Sequence, residues 1–343
     1  MSSLGVPLSV LDLAVVGRGS TPADALRNST DLVQHAERLG YHRHWVAEHH
    51  NMPGIASSSP PVLLAHLAAA TSTIRVGSGG VMLPNHSPLV VAEQFGMLEA
   101  LHPGRVDLGL GRAPGTDPVT AHALRRGAAG SGPDDFPEQL AQLLAYFDGT
   151  FPEEHPYSRI TAVPARGYHP VIWLLGSSTY SAHAAGVLGM PFSFAYHFAP
   201  AALDDALAAY RQAFRPSEHL QQPYVMLGVS VICAETDERA RWLASPGALA
   251  FLRLRQGRPD VYPTPEEAAD YRFTPAERAG VKAWTGSHVV GPPAAVHERL
   301  RALVERTGAD ELMVSTMVHA HDDRVASYRL VAEQLALVAP SPA

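Results

Sequence analysis

The chain has 343 residues, a formal net charge of -7 at neutral pH and a sequence pI near 6.2. The chain is acidic overall and has no run of basic residues, so nucleic acid and anionic membranes are poor candidates for a binding partner. We expect a small molecule as the partner instead. Cys233 is the only cysteine, which excludes an internal disulfide and fits a reducing compartment. Pro7 and Asp12 interrupt the apolar N-terminus, and no basic region precedes it. We therefore expect a cytoplasmic protein without a signal peptide or membrane span.

Segments typical of strands and helices alternate along the chain. The predicted strands are 8–13, 42–47, 74–80, 105–109, 171–175, 191–195, 225–232 and 311–315. The predicted helices are 22–39, 60–70, 88–101, 137–147, 180–188, 201–214, 237–254, 294–306 and 323–337. Strands that are each followed by a helix predict an α/β fold, a (β/α)8 TIM barrel rather than an open doubly wound sheet. We expect a single domain over residues 1–343.

The largest predicted insertion into the barrel is the segment 258–293. It contains two helix starts, at Thr264 and at Thr274, and the second matches a capping box with Glu277. Its aromatic residues could cover an apolar substrate as a lid: Tyr262, Tyr271, Phe273 and Trp284. The alternative is a packed decoration on the barrel wall, and the sequence leaves both open.

Four polar residues follow the apolar end of the second predicted strand: Glu48, His49, His50 and Asn51. Side chains at the carboxyl ends of barrel strands face the mouth, where chemistry is usually done, so these are candidate site residues. A capped strand end with solvated histidines is the alternative. A metal site is the weaker interpretation, because adjacent strand residues point to opposite faces and no HExxH spacing is present.

Glycines and hydroxyl groups dominate the next three strand ends. Gly79 and Gly80, at the third strand, would let the backbone approach a flat ligand. The fourth strand leads into a loop in which Arg112 is the only cation, and Pro114 interrupts its likeness to a dinucleotide fingerprint. The fifth strand runs into a helix through several hydroxyl residues, which favours a phosphate site at the helix N-terminus: Ser177, Ser178, Thr179 and Ser181. Ordinary N-capping, which needs only one of these residues, is the alternative.

Taken together and in this order along the chain, these motifs resemble those of the bacterial luciferase-like monooxygenases. The resemblance is carried by segments 47–51, 76–84 and 104–112, and by 170–191, which looks like the family's phosphate-binding strand and helix. It implies a barrel that uses reduced FMN, delivered by a separate NAD(P)H:flavin reductase. It also implies that O2 reacts through a flavin peroxide adduct to oxygenate a small organic substrate. A secondary metabolite as that substrate is an expectation from the composition, not from the resemblance.

The same resemblance implies roles for individual residues. His49 would be the catalytic histidine beside the reactive edge of the flavin, and His50 would be its neighbour. Gly79 and Gly80 would be joined by a cis peptide bond near the isoalloxazine ring, and Tyr196 would lie near that ring. The phosphate would be held by Arg112, Ser177, Ser178 and Ser181.

Three functions remain open at this point. The first is a monooxygenase that uses free reduced FMN. The second is a deazaflavin-dependent dehydrogenase or reductase on the same barrel, which would consume no oxygen. The third is a non-catalytic flavin-binding subunit, against which the presence of His49 and Arg112 argues. We also expect a homodimer.

Overall fold

A computed structural model describes residues 2–125 and 135–339, so the predicted domain extends beyond the described residues at both ends and over 126–134. In the described part of the chain the strands are β1 (Leu8–Asp12), β2 (Arg43–Val46), β3 (Arg75–Met82), β4 (Val106–Gly111), β5 (Val171–Gly176), β6 (Phe192–Phe194), β7 (Val225–Cys233), β8 (Val289–Gly291) and β9 (Glu311–Ser315). All of their pairings are parallel.

Eight of these strands close into a barrel in the order β1-β2-β3-β4-β5-β6-β7-β9. The ring closes between β1 and β9, where Leu8 lies opposite Leu312. The short strand β8 pairs with the carboxyl-terminal end of β7, where Val289 lies opposite Val231, and so lies outside the ring. The fold is the (β/α)8 TIM barrel that the alternation of strands and helices predicts.

Helices connect the strands. They are α1 (Pro22–Arg38), α2 (Pro60–Ala69), α3 (Pro88–Leu101), α4 (Pro118–Arg125), α5 (Phe136–Asp148), α6 (Thr179–Val187), α7 (Leu203–Ala213), α8 (Asp237–Arg255), α9 (Pro265–Asp270), α10 (Pro275–Thr285), α11 (Pro293–Thr307) and α12 (His321–Gln334). The predicted capping box of Thr274 and Glu277 is present at α10. Helix α4 and strand β8 are additions to the predicted elements. Within residues 2–125 and 135–339, no helix is both long and apolar enough to cross a membrane.

A buried ion network fills the amino-terminal end of the barrel. Arg43 donates from Nη1 to Asp107 and from Nε to Glu311, each at 2.8 Å. Asp107 also accepts from Arg75 at 2.6 Å and from the Trp45 indole nitrogen at 3.0 Å. Both carboxylates are fully buried. Their charges are tolerated in the interior because each carboxylate is paired with an arginine.

Apolar side chains fill the barrel above this network. Trp45, Trp173, Met226 and Met313 form one buried cluster, and the two indole rings meet edge to face with centroids 5.3 Å apart. Gly77 makes room for this layer, because a Cβ there would lie 2.6 Å from the Trp45 indole nitrogen. The barrel is therefore closed below, and a ligand site must lie at the carboxyl ends of the strands.

The first part of the insertion 258–293 is bonded to the barrel. Tyr262 accepts a hydrogen bond from the Arg18 amide at 2.8 Å, and its hydroxyl donates to the Met317 carbonyl at 2.8 Å. The Arg18 guanidinium forms ion pairs with Asp260 at 2.7 Å and with Glu267 at 2.8 Å. This part of the insertion is a wall of the barrel mouth, and Tyr262 is buried in it.

The second part of the insertion, α10, is less embedded, since none of its residues is buried. Trp284 stacks on Phe251 of α8 with ring centroids 4.4 Å apart and meets the His288 ring edge-on, also at 4.4 Å. Tyr271 and Phe273 contact each other. Trp284, one of the aromatic residues predicted to form a lid, packs beside His288. The lid stays a prediction for the segment 258–293.

Candidate active site

Glu48 is a buried carboxylate that joins the ends of β2 and β3. Its Oε1 accepts hydrogen bonds from Nε2 of His50 and of His86, both at 2.8 Å, and its Oε2 accepts from the Met82 amide at 3.0 Å. Burial alone would raise the pKa of Glu48, but the hydrogen bonds from His50 and His86 lower it to about 2. Glu48 is therefore ionised at neutral pH and orients both imidazoles.

His49 is held by backbone groups on either side of it. Its amide donates to the Ser57 carbonyl at 3.1 Å, and its ring Nδ1 lies 3.3 Å from the Gly115 carbonyl oxygen. Because a carbonyl oxygen only accepts, Nδ1 carries the proton and Nε2 of the neutral ring is an acceptor. Burial lowers the pKa of His49, so the ring is neutral at neutral pH.

The loop after β4 is bonded to the neighbouring strand ends. Asn51 donates to Asp117 at 3.0 Å, and the Thr116 hydroxyl donates to the His50 carbonyl at 2.8 Å. The Asn85 amide donates to a carbonyl of the same loop at 2.9 Å. These contacts hold the ends of β2, β3 and β4 as one rim, so a ligand there meets a preorganised surface.

The glycines of β3 are required by their own surroundings. A Cβ at Gly80 would lie 2.8 Å from the Gly109 carbonyl oxygen, and one at Gly79 would lie 2.8 Å from the Leu11 side chain. The Gly79–Gly80 peptide bond is cis, as the resemblance implies. Neighbouring strands and barrel side chains thus approach this backbone too closely for any larger residue.

A cation lies beside the start of α6. The Arg112 guanidinium is stacked over the Tyr180 ring at 4.0 Å, and it forms no salt bridge within the residues that the structure describes. Ser178 is the N-cap of α6, and its side chain makes no capping hydrogen bond, whereas Thr21 and Thr236 do cap their helices. The first-turn amides of α6 stay available next to a positive charge, which is an arrangement suited to an anion.

The other residues that were predicted to hold the phosphate or to lie near the flavin ring have different surroundings. Ser177 is half-buried and Ser178 is exposed at the start of α6. Ser181 is buried against β5, where a Cβ at Gly176 would come within 2.7 Å of the Ser181 Cβ. Tyr196 packs, partly buried, against the main apolar core, and its place beside a flavin ring stays a prediction.

His197 was not among the residues singled out from the sequence. Its Nδ1 donates to the Gly228 carbonyl at 3.0 Å, and its amide donates to the same oxygen at 2.8 Å. Burial lowers the pKa of His197, and the nearby His49 lowers it further. The signal that could have found it is the one used for His49, a polar residue directly after a buried strand.

The rim therefore combines the neutral imidazoles of His49 and His197, the Arg112 guanidinium at a helix N-terminus and an apolar floor. Over residues 2–125 and 135–339, no three His, Cys, Asp or Glu side chains are grouped so that they could hold a metal ion. The arrangement can bind an elongated molecule with an anionic group at Arg112 and an uncharged body towards His49.

Comparison with known proteins identifies the family of the chain. The family model for luciferase-like monooxygenases matches residues 6–311. A luciferase-like monooxygenase of Escherichia coli strain K12 is 46% identical, over 96% of this chain and 97% of its own length. The N-acetyl-S-alkylcysteine monooxygenase of Bacillus subtilis strain 168 is 36% identical, over 96% and 98%. The crystal structure of apo-MsnO8 is 39% identical, with a TM-score of 0.85 over 97% of this chain and 99% of that one. The chain belongs to the luciferase-like monooxygenase family.

Proposed function

We propose that the protein is a flavin-dependent monooxygenase that binds reduced FMN and uses O2 to oxygenate a small organic substrate. The observation that carries this proposal is the Arg112 guanidinium stacked on Tyr180 beside the uncapped start of α6. A dianionic phosphate fits a guanidinium combined with free helix amides, because both donate hydrogen bonds towards negative charge. Ser177 and Ser178 would supply further hydroxyl donors.

The remainder of the rim fits the flavin ring. The backbone at Gly79 and Gly80 lies between the phosphate side of the mouth and β2, which leads to His49. Bound reduced FMN would supply the activation of oxygen. His49, neutral and with a free Nε2 lone pair, would accept a hydrogen bond from a protonated oxygen and hold that proton in place. Glu48 would keep the rim rigid through His50 and His86.

We assign the supply of electrons to a separate NAD(P)H:flavin reductase. The loop after β4 is the segment most like a dinucleotide fingerprint, but Pro114 stands in it and the helix α4 begins only at Pro118. A pyrophosphate site of the Rossmann type needs the helix to open directly from the glycine turn. The flavin would therefore arrive already reduced.

Anaerobic titration with reduced FMN and with the reduced deazaflavin coenzyme tests this function. Tighter binding of reduced FMN, followed by substrate-dependent oxygen consumption, is expected. N-acetyl-S-methylcysteine is the first compound to try, because the Bacillus relative is named for N-acetyl-S-alkylcysteine substrates. Tighter binding of the deazaflavin would identify a dehydrogenase or reductase instead, and binding of neither would overturn the proposal.

Replacing Arg112 with alanine should weaken FMN binding by roughly 10- to 150-fold, since a charge-assisted hydrogen bond contributes about 1.5 to 3 kcal/mol. Riboflavin, which lacks the phosphate, should lose much less. Flavin fluorescence titration measures both affinities. Arg301→Ala is the matched control, because this arginine is exposed on α11. Equal losses for FMN and riboflavin would place the phosphate elsewhere.

We further propose that two copies of the chain pair through α2 and α3. Both helices are apolar on nearly every face, and their outer surface exposes Val62 at 70%, Met97 at 53% and Leu101 at 66%. A helix that is apolar all round is normally covered. The double change Met97→Glu and Leu101→Glu should convert a dimer into a monomer in sedimentation velocity, whereas Val338→Glu, at another exposed valine, should not. A monomeric wild type would contradict the pairing.

A further inference from the structure

His49 and His197 occupy opposite sides of the barrel mouth. His49 follows β2 and His197 follows β6, and in the closed ring three strands separate β2 from β6 in either direction. His49 lies near enough to act on His197 electrostatically: burial lowers the pKa of His197, and His49 lowers it further. A molecule bound in the mouth beside His49 would therefore have His197 facing it from the other side.

The His197 ring is fixed in one orientation. Its Nδ1 lies 3.0 Å from the Gly228 carbonyl oxygen, so Nδ1 carries the proton and Nε2 of the neutral ring is a bare acceptor. Gly228 permits this placement, because a Cβ there would lie 2.8 Å from His197 Nδ1. Met226, two residues earlier on β7, belongs to the cluster inside the barrel. Strand alternation puts Gly228 on the same inner face, and the imidazole therefore lies over the barrel interior.

His288 and two aromatic rings lie on the other side of His197. Burial lowers the pKa of His288 to about 4, with a further contribution from the nearby His197. The His288 ring meets Trp284 edge-on at 4.4 Å. The His288 Nε2 atom is buried and has no partner among the described residues. Trp284 is in turn stacked on Phe251. This side of the mouth thus combines the acceptor Nε2 of His197, the buried Nε2 of His288 and an aromatic wall.

We propose that Nε2 of His197 accepts a hydrogen bond from an O–H or N–H group of the substrate, so that the enzyme selects molecules carrying such a donor on an apolar body. This inference rests on the proposed function for the identity of the site. A site built to accept a hydrogen bond discriminates strongly against a molecule that lacks the donor, because the acceptor is then desolvated and unpaired.

Binding of 2-naphthol and of 2-methoxynaphthalene to the FMN-loaded protein, measured by isothermal titration calorimetry, tests the proposal. The two probes share an apolar body and differ in the O–H donor. Wild type should bind 2-naphthol about tenfold more tightly. His197→Asn keeps a donor for the Gly228 carbonyl but lacks an acceptor at the Nε2 position, and it should lose this preference. His197→Gln places an amide oxygen near that position and should retain most of it.

His219→Asn is the matched control, since this histidine is more than half exposed at the other end of the barrel, and it should leave the preference unchanged. Equal binding of the two probes by wild type, no binding of either, or a preference that survives in His197→Asn would each overturn the assignment. Failure of the proposed function would look different, because FMN itself would not bind before any probe was added.

Discussion

Replacing His49 with alanine should lower product formation by about a hundredfold or more, the usual contribution of a positioned acid or base. Flavin affinity should change little, because the phosphate contacts proposed at Arg112 and α6 are untouched. Oxygen consumption should continue, with the oxygen released as hydrogen peroxide, since the group that holds the proton is gone while the flavin remains.

The measurement is hydrogen peroxide and product formed per O2 consumed, with reduced FMN supplied by a reductase. His219→Ala is the control, because its side chain is more than half exposed at the opposite end of the barrel. Because burial lowers the pKa of His49, wild type should stay coupled when the pH falls into the ordinary histidine range. It should lose coupling only at lower pH, as the ring becomes protonated. Unchanged coupling in His49→Ala would remove His49 from the reacting edge.

Replacing Asp107 with alanine should destabilise the protein by about 3 to 5 kcal/mol, the usual cost of removing one partner from a buried ion pair. The change leaves Arg43 and Arg75 with one carboxylate fewer and leaves the Trp45 indole N–H unpaired. Burial alone would raise the pKa of Asp107, but Arg43 and Arg75 lower it. Its stabilising contribution is therefore present above the ordinary aspartate pKa and is lost as the pH falls below that value.

Urea unfolding followed by tryptophan fluorescence measures this loss, since Trp45 and Trp173 lie directly above the network. Asp204→Ala is the matched control, because Asp204 forms an ion pair of 2.8 Å with Arg306 that is largely exposed. Exposed pairs contribute about 0 to 1 kcal/mol. Similar losses for the two variants would mean that the network adds no more than a surface pair.

Most of the fold follows from local signals. The barrel strands are apolar runs that end in glycine or polar residues, and proline or threonine marks the start of many helices. Strand β8 was not predicted because Val289–Gly291 is only three residues long and is a strand only through its pairing with β7. Helix α4 was not predicted because Pro118–Arg125 is a single short helix directly after a glycine- and proline-containing loop.

The site is less predictable than the fold, because the direction of a side chain at a strand end depends on pairing and register. The run from Glu48 to Asn51 marks a site, but only the structure shows that Glu48 is buried and clamps His50 and His86. At β6 the resemblance points to Tyr196, which is partly buried against the main core and whose place beside a flavin ring stays a prediction. The placement of His197 over the barrel could not be predicted, because it depends on the close approach of Gly228. Contacts between residues far apart in sequence decide these orientations.

The closure between β1 and β9 sets the order in which the molecule can be completed during synthesis. When residue 200 has been made, the chain already contains His49 and Arg112. Strand β9, with which β1 must pair, has not yet been translated. Ser9 and Arg43 both form hydrogen bonds with Glu311. The buried ion network at the amino-terminal end of the barrel therefore cannot be completed before β9 has been made. Such distant pairings slow folding, and unclosed strands are prone to aggregate. A chain truncated before Glu311 would keep the proposed phosphate-binding residues. It would lack the closed barrel that is needed to hold the flavin ring.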